Sequence, residues 1–187
     1  MDWISLGLSS VAIILAVASF YYQFFYRPRA VRVLTLPLHC KHGDKTFFGI
    51  CNNSKESVYV TALSVNYVIK KDGHFFLQPL DNIQMHGQSA IPPGQITEFS
   101  YQHTKPHQNY LDEIQMLVFD GQSEKRIEIV ASIQIAFPNG DVFTKDFATG
   151  HYSQFKEGVT GNSVYGININ LLKKDKNKNL FIEKSGK

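Results

Sequence analysis

The feature that most constrains this chain is an uncharged run near its N-terminal end, residues 3–26. The run contains no Asp, Glu, Lys, Arg or His and is rich in Ile, Leu, Val and Phe. As an α-helix, about 24 residues extend roughly 36 Å, which exceeds the hydrocarbon core of a bilayer at about 30 Å. The sequence therefore predicts one transmembrane helix over residues 3–26.

Aromatic and basic residues mark the ends of this run. Trp3 lies at one end, and Tyr26 lies at the other, before Arg27-Pro28-Arg29. Interfacial aromatics and a following proline are typical of the ends of a membrane helix. A cleaved signal peptide is the alternative, because Ala16-Val17-Ala18 resembles a cleavage site. We favour a retained helix, because the run has no basic residue before it and continues beyond that site.

The charges that flank the run predict its orientation. Arg27, Arg29 and Arg32 follow the run, whereas Asp2 precedes it. Because positive flanks stay in the cytoplasm, we expect the N-terminus outside and the following domain in the cytoplasm. The alternative is an extracytoplasmic domain.

A seam of small side chains runs along the predicted helix. Ser5, Ser9, Ala12, Ala16 and Ser19 recur at spacings of three and four residues, which brings them to one face. Small residues allow helix backbones to approach closely in a membrane. This face is a candidate for self-association or for pairing with another membrane helix. The alternative is that small residues are common in membrane helices.

From residue 30 to residue 172 the dominant sequence period is two. Residues 126–137 alternate strongly, and Asn139-Gly140 joins them to another alternating segment as a hairpin. Pro92-Pro93-Gly94 fits a type II turn. Eight or nine short strands and no long helix predict an all-β domain, an antiparallel immunoglobulin-like sandwich or a small barrel. A lysine-rich tail, residues 173–187, is expected to be flexible.

The layout resembles the immunoglobulin-like sandwiches that bacteria tether to a membrane by one N-terminal helix. The residues that carry this resemblance are Gly49-Ile50-Cys51-Asn52-Asn53, Pro92-Pro93-Gly94 and Asn139-Gly140, and it covers residues 32–172. The Cys-Trp-Cys core of antibody domains is missing, since the only tryptophan is Trp3. The resemblance implies binding or assembly more than catalysis.

The motif content argues against an enzyme. The chain has no phosphate-binding loop, no His-Glu-x-x-His motif and no Gly-x-Ser-x-Gly elbow, so we predict no catalytic residue and no cofactor. His39, Cys40, His42 and Cys51 are the one group that could hold a metal, but their spacing matches no standard zinc module, and we predict no metal site. In an extracytoplasmic domain Cys40 and Cys51 could form a disulfide.

The distribution of charge argues against nucleic acid as a partner. The formal net charge is +3, and six of the lysines lie in the tail, which leaves the β domain close to neutral. The tail lacks the interleaved aromatic residues of a nucleic-acid binder. It could attract anionic lipid, but we favour a solvated end.

Three segments without clear alternation are candidate partner sites, namely residues 79–90, 103–112 and 148–163. The third carries His151, Tyr152 and Phe155 among glycines, and aromatic side chains on loops are common at binding hot spots. The alternative is that these aromatics cover the end of the core.

Together these features predict a membrane-tethered protein-interaction or assembly module without catalytic activity. Its expected partners are the lipid bilayer and either another protein or further copies of the chain. The alternative is a membrane effector or sensor whose β domain binds a small ligand and whose helix oligomerises. An enclosed polar pocket would favour the sensor, and a filled core with exposed aromatics would favour the interaction module.

Overall fold

The structure is a computed structural model that describes residues 3–24, 30–36, 45–71, 73–119 and 122–172. The predicted N-terminal helix is present as α1, Trp3–Phe24, with 22 residues. Its described side chains are those of Trp3 and of residues 7–22. Within the part of the chain that the structure describes, no helix is both long and apolar enough to cross a membrane. The prediction of a helix is therefore confirmed, and the prediction of a transmembrane helix is not.

The rest of the described chain is mostly β-strand, and every strand pairing is antiparallel. The strands are β1 Val31–Thr35, β2 Lys45–Asn52, β3 Val58–Lys71, β4 His74–Pro79, β5 Gln84–His86, β6 Ala90–Ile91, β7 Ile96–Gln102, β8 Leu117–Phe119, β9 Gln122–Ala136, β10 Val142–Phe155, β11 Thr160–Val164 and β12 Asn168–Asn170. This confirms the predicted all-β, antiparallel class; a short helix, α2, Gln108–Glu113, lies between β7 and β8.

The strands form two sheets. The first sheet has the order β12-β1-β2-β7-β5. The second has the order β11-β10-β9-β3-β4, with β6 paired to β3 and β8 paired to β9. Buried side chains from both sheets form one core, in which Phe48 stacks on Phe99 with ring centroids 5.2 Å apart. Large, fully buried aromatic and β-branched side chains fill the space between the sheets.

The predicted turns occur where glycine supplies a left-handed backbone. Gly94 has φ +73°, and the Gln95 N–H donates to the Pro92 carbonyl at 3.2 Å, as a type II turn requires. Gly140 has φ +88° in the hairpin that joins β9 to β10. Both turn predictions are confirmed.

Residues 148–163 do not form the irregular segment that we expected. β10 continues to Phe155 and then turns back into β11. A register shift between Ala148 and Gly150 inserts one residue into β10, and the inserted residue breaks the period of two. The alternation is therefore interrupted in the sequence although the strand continues in the structure.

The domain has two distinct ends. At the near end the chain enters at Val31, whose carbonyl accepts a hydrogen bond from Leu171 N–H at 2.8 Å, so the chain also leaves there. Asn52, the last residue of β2, links the two sheets at this end by donating to the Ile91 carbonyl at 2.7 Å. β3 runs from this end to Lys71 at the opposite end, which we call the far end.

Candidate functional site

The far end is built around α2, which follows the end of β7. Leu111 is the buried residue of this helix, and its carbonyl accepts a hydrogen bond from the Lys125 ammonium group of β9. The His107 N–H, just before the helix, donates to Gln78 Oε1 at 3.1 Å. These contacts hold α2 between the last residues of β4 and the first residues of β9.

A first cleft of about 500 Å³ lies on one side of α2 and is open to solvent. The Phe76 and Tyr110 rings lie 6.4 Å apart, and His107 packs edge-on to Tyr110 at 6.3 Å. Lys71 Nζ forms an ion pair with Glu113 Oε1 at 2.7 Å. The cleft is lined by Lys71, Phe76, His107, Asn109, Tyr110 and Glu113. It therefore combines an aromatic surface with one ion pair.

A second cleft, of about 210 Å³, lies on the other side of α2. Gln108 and Asp112 of α2 face Phe155 and Lys156 across it. Two of the predicted partner segments, residues 103–112 and 148–163, therefore meet here. Their contact depends on the continued pairing of β10 with β9 beyond the register shift at Ala148, which the alternation in the sequence does not show.

Large apolar side chains are exposed at the same end of the domain. Leu77 is 63% exposed and Val118 is 72% exposed. The other members of this set are Phe75, Phe76, Met116, Leu117 and Val159. Such a concentration of exposed apolar side chains is typical of a surface that meets another molecule. We call this set, together with the two clefts, the far-end surface.

The three residues predicted to bind a partner take different positions. Tyr152 is 4% exposed, and its ring packs edge-on to Tyr67 at 6.2 Å in the core. Burial raises the pKa of Tyr152, and the Thr160 side chain opposes part of that rise. Phe155 lines the second cleft, and neither of the two clefts described above is lined by His151 or Tyr152. The position of Tyr152 fits the alternative given above, in which these aromatic side chains cover the end of the core. A partner-binding role for His151 and Phe155 stays a prediction.

His151 belongs to a polar network on the face of the second sheet that points away from the core. Its Nδ1 atom lies 3.1 Å from the Tyr165 hydroxyl, which donates to the Glu128 carboxylate at 3.2 Å. Arg126 Nε lies 3.5 Å from Glu128, and Glu124 lies 4.0 Å from His151 Nε2. Burial lowers the pKa of His151, and the Arg126 charge lowers it further.

The sequence contains a signal for this network, although only His151 is among the predicted site residues. Glu124, Arg126 and Glu128 alternate along β9, so they share one face of the strand. His151 lies directly opposite Glu128 in the neighbouring strand. That alternation could identify the outer face of β9. The position of His151 opposite Glu128 is known only from the pairing of β10 with β9.

The predictions that involve metal, disulfide and helix pairing remain open. No group of three metal-ligating side chains lies together within the described residues. His39, Cys40 and His42 lie outside those residues, and Cys51 is a free thiol 3.0 Å from Asn53 Oδ1. On the predicted helix face, Ser9, Ala12, Ala16 and Ser19 are exposed. The side chain of Ser5 and the tail, residues 173–187, lie outside the described part.

Comparison with known proteins gives no relative from which a function can be transferred. No protein-family model matches the chain, and no curated protein matches it significantly. The fold and the far-end surface therefore define only a general class, an antiparallel β domain with a candidate docking end.

Proposed function

We propose that this protein is a membrane-tethered interaction module without catalytic activity. In this proposal α1 anchors the chain in a bilayer, and an immunoglobulin-like sandwich presents its far end to a protein partner in the cytoplasm. The observation that carries the proposal is the position of the far-end surface, which is opposite the end at which the chain enters the domain.

The anchor is supported by the sequence and by the exposure of α1. The uncharged run, residues 3–26, is longer than the hydrocarbon core requires. Ile13, Ile14 and Leu15 are each more than 60% exposed, and as consecutive residues they point to different sides of the helix. A helix that is apolar all round needs an apolar environment, and a bilayer supplies one.

The distance between the two ends supports a role for the far end in docking. β3 has 14 residues and runs between the ends, so at ~3.3 Å per residue it extends roughly 45 Å. A domain tethered at its near end would hold the far-end surface well away from lipid headgroups. Such a surface is accessible to a large partner.

The form of the clefts favours a protein partner over a small ligand. Both clefts are open, and the core between the sheets is filled by buried aromatic side chains such as Tyr67 and Tyr101. Small molecules prefer concave sites that enclose most of their surface. Exposed Leu77 and Val118 beside shallow clefts fit a protein interface better.

A crosslinking experiment tests the proposed partner site. A photoreactive amino acid replaces Val118 at the far end or, as the matched control, Val142 at the near end, which is 55% exposed. In native membranes we expect one discrete crosslinked protein from position 118 and none from position 142. Equal products from both positions, or no product from position 118, would contradict the proposal.

Extraction and labelling test the anchor and its orientation. The protein should stay with the membrane after carbonate washing, because the uncharged run prefers lipid to water. A membrane-impermeant maleimide should label a cysteine that replaces Lys187 only after the cells are opened. Release of the protein by carbonate would contradict the proposed membrane anchor. Labelling of the cysteine at position 187 in intact cells would contradict the proposed orientation.

A further inference from the structure

Among the residues that the structure describes, strand β4 is an end strand of the second sheet and pairs with β3 on one side. Antiparallel pairs alternate between residues that exchange hydrogen bonds and residues that do not. The Leu80 N–H donates to the Val65 carbonyl at 2.9 Å, which sets this alternation. Leu77 lies opposite Val68 at a position that exchanges no bonds with β3. The backbone N–H and C=O of Leu77 therefore point away from the sheet.

The other end strands of the two sheets are poor templates for a further strand. β5 and β12 have three residues each. β11 has the polar sequence Thr-Gly-Asn-Ser-Val with glycine at its second position. Short or polar edges are the usual protection against unwanted strand pairing. β4 has six residues, His-Phe-Phe-Leu-Gln-Pro, and its described side chains include neither a lysine nor an acidic residue.

The side chains of β4 offer distinct contacts on its two faces. Leu77 is exposed on the outer face, whereas Phe76 lines the first cleft beside Tyr110 on the inner face. An added strand would place alternate side chains on these two faces. One set would cover Leu77, and the other would enter the aromatic part of the cleft.

Charge near the start of β4 adds a preference for an acidic partner. Lys70 lies opposite Phe75, and its ammonium group is 5.7 Å from the centre of that ring. The charge of the neighbouring Lys71 is already matched by Glu113. Lys70 is exposed and extends its ammonium group over the Phe75 ring of β4, so a carboxylate on an added strand beside Phe75 could pair with it.

We propose that β4 binds an extended segment of a partner protein as an additional strand. This inference rests on the proposed function and names the class of partner that the far-end surface takes. The segment has apolar side chains at alternate positions and a carboxylate that reaches Lys70. Backbone hydrogen bonds to Leu77 supply affinity, and the cleft around Phe76 and Tyr110 supplies selectivity.

A second copy in the same membrane does not fit this edge. Antiparallel pairing of β4 with β4 of another copy requires the two strands, and hence the two domains, to point in opposite directions. The near ends would then lie on opposite sides of the pair. Residues 25–30, which join α1 to β1, reach at most about 20 Å. Both anchors therefore could not enter one bilayer.

Peptide selection on the full chain in lipid nanodiscs tests the proposal. A library of random peptides is the probe, and Leu77→Pro and Leu77→Ala are the variants. Proline removes only an outward N–H and is tolerated on edge strands, as at Pro79 in β4 itself. We expect the selected peptides to alternate apolar residues and to bind Leu77→Pro at least about tenfold more weakly, with a smaller loss for Leu77→Ala.

Two results would overturn the strand-addition model. One is binding to Leu77→Pro that equals binding to the parent chain. The other is an equal loss for both variants, which would show recognition of the side chain rather than of the backbone. Should Leu77→Pro fail to fold, hydrogen exchange of the Leu77 amide replaces it, and an exchange rate that the bound peptide leaves unchanged overturns the model. If strand addition is wrong but the proposed partner site is right, crosslinking from position 118 will still give a discrete product.

Discussion

The hydroxyl groups of Tyr101 and Thr149 meet in the core, 3.0 Å apart, and join the two sheets. Tyr101 lies in β7 of the first sheet, and Thr149 lies at the register shift of β10 in the second. Thr149 also lies 3.3 Å from the Ile129 carbonyl, to which its hydroxyl donates, so the Tyr101 hydroxyl is the donor to Thr149. The irregularity in β10 thus supplies a polar link across an apolar core.

Thr149→Val should weaken the fold although it preserves shape. The change removes the acceptor of Tyr101 and the donor to Ile129, which are both buried. We expect the free energy of unfolding to fall by about 2 kcal/mol. Chemical denaturation of the full chain in detergent, followed by circular dichroism, measures this. Thr149→Ser keeps the hydroxyl and is the control, and an equal loss in both variants would assign the effect to packing.

Gly150→Ala should disrupt the β10–β11 pairing. A Cβ at Gly150 would lie 2.1 Å from the Ser163 carbonyl oxygen, a backbone atom that cannot move alone. We expect a loss of about 2–3 kcal/mol, since the strands must separate to make room. Gly161→Ala is the matched control, because no atom lies within 4 Å of its added Cβ. A thermal unfolding curve of Gly150→Ala that matches that of Gly161→Ala would contradict the close approach.

Asn52→Asp should be among the most damaging single-atom changes. The Asn52 amide nitrogen donates to the Glu56 carbonyl at 2.8 Å and to the Ile91 carbonyl at 2.7 Å, and the residue is fully buried. A carboxylate cannot donate and would be buried next to two carbonyl oxygens. We expect a loss of about 3 kcal/mol or more. Asn53→Asp, at the exposed neighbouring position, should change the denaturation midpoint little.

His151 should make stability depend on pH below neutrality. The pKa of His151 in the folded state is lowered from 6.5, mainly by burial, so the folded protein favours the neutral ring. Its contribution is complete above pH 6.5 and is lost as the pH falls through the lowered value, because the unfolded chain takes up the proton first. Glu124, Glu128, Arg126 and Tyr165 surround the ring.

We therefore expect the midpoint of thermal unfolding to fall as the pH is lowered from about 6.5 through the lowered pKa of His151, and His151→Gln to flatten that fall. Differential scanning fluorimetry of both proteins in the same detergent measures the difference. Parallel curves for the parent and the variant over this range would show that other groups control the dependence.

Much of the β domain is predictable because its determinants are local. The alternation of residues 126–137 fixes the buried face of β9, where Ile129 and Ile133 lie in the core. Proline and glycine fix the turns at Gly94 and Gly140, because few residues adopt those backbone angles. These features need no knowledge of the partner strand.

The far-end surface is not predictable in this way, because it depends on pairing between distant segments. Lys125 and Gln154 lie opposite one another, which brings the turn after Phe155 to α2. The inserted residue at Thr149 also reverses the inside and outside positions beyond it. Without that register, Tyr152 is interpreted as a loop residue although it is buried.

The shared position of the entry and exit of the chain determines how the domain responds to tension. β1 and β12 pair antiparallel, with Arg32 opposite Asn170 and Leu34 opposite Asn168. A pull between α1 and the C-terminal residues of the chain would act across this pair at one end and break its hydrogen-bonded residue pairs one after another. If the force instead acted at opposite ends of the two strands, along their length, all the hydrogen bonds between them would have to break together. The sandwich would therefore open at low force by peeling, beginning at Val31 and Leu171.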